Sequence, residues 1–379
     1  MKIAIEAQRI FRRNKHGMDF VALESIRCLQ ELDHENEYFI LVAPGEDRCL
    51  EATDNFHIVE LRCPSYPLWE QVALPRALRR IRPDLLHCTS NTAPLHCAGT
   101  RLVVTLHDII FLERQAGRNS SLYQQMGRIY RRLVVPRILR RCSRIVTVSA
   151  FERDRIRTAL GLREEAVVAI HNGYNPRFRV LDKAACRVVT ARYLAEGGYL
   201  LFLGNTDPKK NTAGTLRAYA AYLRLSATPR PLLIADLQEE EVEALLERLD
   251  LERIRPMLRI VGYIPHADLP AIYNGAFAFL YTSLRESFGI PILEAMACGT
   301  PVITSDTSAI PEIAGRGAML VDPTNPDEIA ARLVALESDE DIRRGQIAYG
   351  LHRVGSFSWK RTAEQLLSLY RKIGTKPQG

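Results

Sequence analysis

Tyr281-Thr282-Ser283-Leu284-Arg285-Glu286-Ser287-Phe288-Gly289-Ile290-Pro291-Ile292-Leu293-Glu294-Ala295-Met296-Ala297-Cys298-Gly299 follows the apolar run Phe277 to Tyr281, passes through a small-residue loop and opens a helix. Pro291 suits the first helical turn, where its missing N–H costs nothing, and Gly299 suits the position just past the end. Free amide N–H groups at such a helix start, with the positive end of the helix dipole, attract phosphate. Glu286 and Glu294, eight positions apart, flank that anion site with acceptors for hydroxyl hydrogen bonds. Two carboxylates around one phosphate site suit a sugar joined to a nucleotide diphosphate. Either glutamate taken alone reads as a solvated or capping acid.

Outward from this stretch, short apolar runs alternate with helix-period segments, the pattern of parallel sheets covered by helices. Strands are expected at Lys2 to Ala7, Tyr38 to Val42, His57 to Leu61, Leu85 to His87, Arg101 to Leu106 and Arg144 to Val148. A second set is expected at Tyr199 to Leu203, Leu232 to Ala235, Leu258 to Val261, Phe277 to Tyr281, Pro301 to Thr304 and Met319 to Val321. The 379 residues therefore divide into two doubly wound α/β domains, 1–180 and 181–357, with 358–379 as a last helix. The polar stretch Asn175 to Gly197 is expected to link them. Ligands bind such sheets at the strands' carboxyl ends, so the site is expected in a cleft between the two domains.

At 47% hydrophobic and 25% charged, the composition is that of a globular chain, and no fibrous or low-complexity class fits. Eight scattered cysteines without a C-x-x-C pair argue against a disulfide framework or zinc knuckle. The chain enters a strand at its second residue, leaving no room for a secretory leader, and no apolar run reaches spanning length. A cytoplasmic location is expected. Asp339-Glu340-Asp341 has the form of a metal-binding D-x-D, but behind Ser338 it reads as a helix cap, and no other acid or histidine cluster has ligand spacing.

The Glu286-x7-Glu294 stretch resembles the E-x7-E signature of retaining glycosyltransferases of family 4, which have the GT-B fold. The likeness extends over the whole chain. Phe202-Leu203-Gly204-Asn205-Thr206-Asp207-Pro208-Lys209-Lys210-Asn211 resembles the family's loop that presents cations to the diphosphate, with Asn205 where many members have arginine. Thr105-Leu106-His107-Asp108 resembles the H-D pair beside the reacting sugar, and Arg12 to Phe20 the glycine-rich loop, with His16 and Gly17 where two glycines are common. Ser305 to Gly315, His171-Asn172-Gly173-Tyr174-Asn175 and Phe357-Ser358-Trp359 resemble the family's remaining landmarks. Without the family, His107 reads as a structural histidine and the Lys209-Lys210 pair as solvated surface.

The resemblance implies two Rossmann-like domains facing a central cleft, the last helix crossing back to the first domain. It implies transfer of a sugar from a nucleotide-diphosphate donor to a hydroxyl of a glycan or lipid-linked acceptor, with retention at the anomeric carbon, in cell-surface polysaccharide or lipopolysaccharide synthesis. Glu286, His107 and Lys210 would be catalytic; Glu294, Phe288, Gly289, Ile290, Asn205, Lys209 and Gly17 would bind donor. No metal or other cofactor is implied. A nucleotide-sugar 2-epimerase of the same fold and a non-catalytic nucleotide-sugar-binding scaffold are the alternatives, separated by product analysis with donor alone.

The formal charge of +7 is unevenly placed: residues 1–190 hold 30 basic and 21 acidic residues, the rest 21 and 23. No acid lies between Glu113 and Glu152, a span with nine arginines: Arg114, Arg118, Arg128, Arg131, Arg132, Arg137, Arg140, Arg141 and Arg144. Apolar Ile129, Leu133, Val134, Ile138 and Leu139 among them read either as a basic amphipathic helix on an anionic membrane surface, interrupted or kinked near Pro136, or as an ordinary helix with an arginine-rich solvent face. Nucleic acid is not an expected partner, since the charge is not interleaved with aromatics.

Overall fold

The structure, a computed structural model, describes residues 1–15, 17–97, 99–110, 122–194 and 198–375, the side chains of 122–125 excepted. His16, Arg114 and Arg118, singled out above, lie outside the described residues. Two compact units are present: Met1–Gly173 together with Trp359–Gly379, and Tyr174–Ser358.

The first unit is built on a seven-stranded parallel sheet. Its strands are β1 (Lys2–Glu6), β2 (Glu37–Val42), β3 (Phe56–Glu60), β4 (Leu85–Cys88), β5 (Arg101–Thr105), β6 (Arg144–Thr147) and β7 (Val167–Ala169), in the order β3-β2-β1-β4-β5-β6-β7. Helices cover both faces, so the central strands read as unbroken apolar runs. On one face Ile3, Ile5 and Tyr38 pack with the helix Gly17–Leu32 and with the last helix, Trp359–Gly374. That last helix buries Leu366, Tyr370 and Ile373 there. It is fixed by polar contacts too: Tyr370 OH meets His87 Nδ1 at 2.6 Å, and Thr362 Oγ1 donates to the His171 carbonyl at 2.7 Å. Burial holds His87 neutral, its pKa pushed down to about 3, and its second nitrogen meets Thr105 Oγ1 at 2.7 Å.

The second unit has six parallel strands: β8 (Tyr199–Leu203), β9 (Leu232–Ala235), β10 (Leu258–Gly262), β11 (Ala276–Tyr281), β12 (Val302–Ser305) and β13 (Met319–Val321). Their order, β10-β9-β8-β11-β12-β13, is that of a dinucleotide-binding sheet. β11 pairs with β8, Phe279 opposite Leu201, and with β12, Leu280 opposite Ile303. Connections leave in opposite directions on either side of the β8–β11 pair. The loops after these two strands therefore diverge and leave a crevice.

Three readings of the sequence need correction. β7 was not expected: it is a short, half-buried strand at the sheet's edge that directly follows the acidic turn Glu164–Ala166. The stretch expected as a linker, Asn175 to Gly197, instead contributes a helix, Lys183–Thr190, to the second unit. Asp182 caps it by accepting from the Ala184 and Ala185 amides, and Cys186 and Thr190 are buried. Finally, the helix Leu122–Leu139 runs through Pro136 without interruption. Val134, Val135, Ile138 and Leu139, all buried, hold its last turn despite the hydrogen bond that proline removes. Asp339 does cap the helix Glu340–Val354, accepting from the Asp341 and Ile342 amides, and all eight cysteines are free thiols.

Because Tyr370 fills the first unit's core from the end of the chain, Tyr370→Ala should cost about 3–5 kcal/mol, the range for a large buried aromatic. Urea unfolding of the variant against wild type measures it, and a loss below 1 kcal/mol, which is about the value of one hydrogen bond, would show the helix to be dispensable.

Candidate functional site

The loop after β8 is shaped by its own short polar residues. Gly204 donates to the Ala235 carbonyl at 2.8 Å, and a Cβ there would stand 2.4 Å from Leu237 Cδ1, so only glycine fits this approach. Asn205 Oδ1 then accepts from the Asp207 amide at 2.8 Å, and Asp207 Oδ1 from the Lys209 amide at 3.0 Å, closing consecutive turns. Asn211, left-handed at φ 58°, donates from its side chain to the carbonyls of Thr282 (2.9 Å) and Pro323 (2.8 Å). The Leu284 amide donates to the Lys209 carbonyl at 2.7 Å, tying the loop to the one after β11.

This scaffold brings Lys210 and Glu286 together. Lys210 Nζ lies 2.6 Å from Glu286 Oε1 and 3.4 Å from the Tyr281 hydroxyl, above whose ring it sits. Both partners are largely shielded, the lysine side chain 25% and the glutamate 13% exposed, which strengthens their attraction relative to a surface pair. The Glu286 backbone is pinned as well, its N–H donating to Ser308 Oγ at 3.0 Å. Lys209 points elsewhere, 3.4 Å from Asp207. Asn205 is likewise occupied with its turn, so of the three polar side chains expected on this loop only Lys210 reaches Glu286.

Gly289 begins the helix Ile290–Ala297 at φ 100°, a conformation that side-chain-bearing residues rarely adopt. Gly289 has no side chain with which to cap this helix start, Pro291 has no N–H, and the Ile292 amide donates to the Gly289 carbonyl at 3.1 Å. Phe288 is buried edge-on against Phe357, ring centres 6.0 Å apart. One turn into the helix, Glu294 is buried, and burial pushes its carboxyl up to about 8, the Tyr273 hydroxyl opposing part of the shift. Hydroxyl donors from a ligand would favour its ionised form.

His107 and Gly17 belong to the first unit. His107 is buried at the carboxyl end of β5, its backbone N–H donating to Asn91 Oδ1 at 2.6 Å and its ring Nε2 lying 3.0 Å from the Thr89 carbonyl. Burial lowers its pKa, so the ring is neutral near pH 7. Gly17 opens its helix with no described atom within 4 Å of a Cβ, so the fold itself does not require glycine there.

Sequence reasoning missed two acids beside them. Glu6, at the end of β1, is buried and accepts from the Gln8 amide (3.0 Å) and the Thr89 amide (3.2 Å). Glu70 is buried in a π-helical turn, Trp69–Ala73, accepting from Tyr66 (2.7 Å), Gln71 (3.0 Å), Tyr130 (2.5 Å) and Thr92. Burial, with Glu70 nearby, raises the Glu6 pKa. Only the π-turn could have marked Glu70, and it has no sequence signal.

Residues 16–178 match the family described as Glycosyltransferase Family 4, and residues 194–353 match Glycosyl transferases group 1. O-antigen chain mannosyltransferase B of Escherichia coli is 33% identical over 234 residues, which is 60% of this chain and 60% of that protein. Serotype-specific mannosyltransferase WbdA of Escherichia coli is 25% identical over 320 residues, 80% of this chain and 38% of that protein. The match thus spans less than two thirds of either relative. Among solved structures, sucrose-phosphate synthase from Thermosynechococcus elongatus aligns with a TM-score of 0.73 at 20% identity, covering 98% of this chain and 99% of that one. Anabaena HepE, solved with UDP and glucose, aligns at 0.74 and 16% identity, covering 98% and 100%. The fold is therefore GT-B, two Rossmann-like α/β domains.

Raised from 4.5 to about 8, the Glu294 carboxyl opposes folding increasingly as pH climbs from 4.5 to 8, and fully above that. Glu294→Gln removes the opposition. Without nucleotide, the variant should melt higher than wild type at pH 9 and gain much less at pH 5.5; the free energy at stake is at most about 5 kcal/mol. Equal shifts at both pH values, measured by differential scanning fluorimetry, would show that the carboxyl does not carry this burden.

Proposed function

Because the chain belongs to the group 1, family 4 glycosyltransferases, we propose that it transfers a mannose from a nucleotide-diphosphate donor to a hydroxyl of a growing surface polysaccharide. The observation that carries this reading is the Lys210–Glu286 pair, 2.6 Å apart, beside a helix start at the switch point of the second sheet. In this reading the diphosphate rests on the amides at Gly289 and Ile290. Glu286 accepts hydrogen bonds from the donor sugar's hydroxyls, and Glu294 from the ribose.

As the acceptor's hydroxyl oxygen bonds to the anomeric carbon, the bond from that carbon to the diphosphate oxygen breaks, the hydroxyl proton passes to the departing diphosphate, and negative charge grows on that leaving group. Lys210 and the helix amides offset that charge from fixed positions, so little reorganisation accompanies the step. The ion pair with Glu286 keeps Lys210 extended toward the site before donor arrives. No metal is needed in this scheme. The first unit takes the acceptor, with neutral His107 offering a hydrogen bond to a sugar hydroxyl rather than a charge. Retention at the anomeric carbon is part of the proposal, as the E-x7-E stretch implies. Mannose is favoured because both Escherichia coli relatives are named as mannosyltransferases.

A panel of UDP-, GDP- and dTDP-sugars with oligosaccharide acceptors tests this, the product's anomeric configuration being read by NMR. Mannose transfer with retention is expected. Lys210→Ala and Glu286→Ala should each lower kcat/KM by about 10²–10³-fold, the range for a lost electrostatic contact in the transition state, with unfolding midpoints near wild type. Epimerised donor without an acceptor, or unchanged rates in both variants, would overturn it.

A further inference from the structure

Buried polar atoms are nearly always paired, because a donor or acceptor left unmet away from water costs the desolvation of that group. Gln8 and Arg9, in the turn that follows β1, both depart from this rule. Gln8 is 7% exposed, and its side-chain oxygen is buried with no hydrogen-bond partner among the described residues. Arg9 Nε lies 2.9 Å from Asp19 Oδ1, but its Nη2 is buried and has no such partner either. The turn itself is anchored: the Gln8 amide donates to Glu6 Oε1 at 3.0 Å, and the Gln8 carbonyl accepts from the Ala43 amide at 3.0 Å.

These two residues stand at the switch point of the first sheet, where the loops after β1 and β4 part and where sheets of this kind bind ligands. The Thr89 amide and the Ser90 hydroxyl, after β4, donate to Glu6 at 3.2 Å and 3.4 Å. Arg9 is close enough to both Glu6 and His107 to bias their protonation, so the ends of β1, β4 and β5 converge here. We propose that this crevice takes the acceptor sugar and that Gln8 is the residue that selects it, its side-chain oxygen accepting from one ring hydroxyl while Arg9 Nη2 donates to another sugar oxygen. A neutral polyhydroxylated ring suits the two unmet atoms, since a hydroxyl both donates and accepts. An anionic ligand would meet the carboxylates of Glu6 and Asp19, and a cationic one the Arg9 guanidinium. The assignment rests on the proposed function for the ligand's role as acceptor, but all of its atoms belong to the first unit and none to the donor site.

Saturation-transfer NMR of the full chain with methyl α-mannoside, methyl α-glucoside and methyl β-galactoside, without donor, tests it against Gln8→Leu, which keeps the side chain's size. At least one glycoside should bind wild type, and the variant should bind it about tenfold more weakly, the equivalent of one hydrogen bond. In transfer assays the variant should raise the acceptor KM by about the same factor, with kcat and donor KM close to wild type, the pattern of lost ground-state binding. Because an unmet buried acceptor is removed, the variant should melt no lower than wild type. A lower melting midpoint with unchanged acceptor KM would assign Gln8 to the fold alone and overturn the proposal. No glycoside binding by wild type, or equal binding by Gln8→Leu, overturns it too and leaves the unmet atoms to water. Sugar transfer with an unchanged acceptor KM in Gln8→Leu would overturn this assignment while the proposed function stands. Glycoside binding that depends on Gln8, in a protein that transfers no sugar, would support the pocket and overturn the proposed function.

Discussion

A parallel strand cannot be reached by a tight turn. Every connection must travel the length of the sheet outside it, and a covering helix is the economical way to satisfy its backbone groups. In both units this constraint gathers all strand carboxyl ends on one edge and hands that edge to loops. Where the connections change direction, between β8 and β11, two loops part and the space between them is left to side chains from each. The Lys210–Glu286 pair exists because that topology brings together residues 76 positions apart. The corresponding switch point of the first unit, between β1 and β4, holds the buried Glu6 network.

Within the second unit's site the two glutamates of one motif are held in opposite electrostatic conditions. Glu286 has a cation at hydrogen-bond distance and is partly exposed. Glu294 is buried, with no cation paired to it among the described residues, and burial raises its pKa to about 8. A group in the first condition is ready to act before a ligand arrives, while one in the second is relieved by a ligand that supplies hydrogen-bond donors.

Much of this was legible in the sequence. Twelve strands could be read from apolar runs because strands buried on both faces exclude polar residues, and the helix start could be read because Gly289, Pro291 and Gly299 suit the two ends of a helix. Lys210 and Lys209 were not separable: adjacent, identical residues differ only in which way a loop closed by Asn205, Asp207 and Asn211 turns them. Glu6 and Glu70 were not legible either. Each is an ordinary acid in its own segment, and each acquires its burial from strands and helices far along the chain.

By itself the sequence determined the two α/β layers, the helix start at Gly289 with Glu286 and Glu294 eight positions apart around it, and the concentration of arginine in an acid-free segment. These follow from local periodicity, glycine and proline stereochemistry and composition, which neighbours along the chain decide. Tertiary structure alone decided which lysine meets Glu286, that Glu294 is desolvated, that the Tyr174 segment joins the second unit, and which face of the arginine-rich helix looks outward. Each of these depends on what lies across space from a residue, and burial, charge proximity and orientation are properties of that assembled neighbourhood.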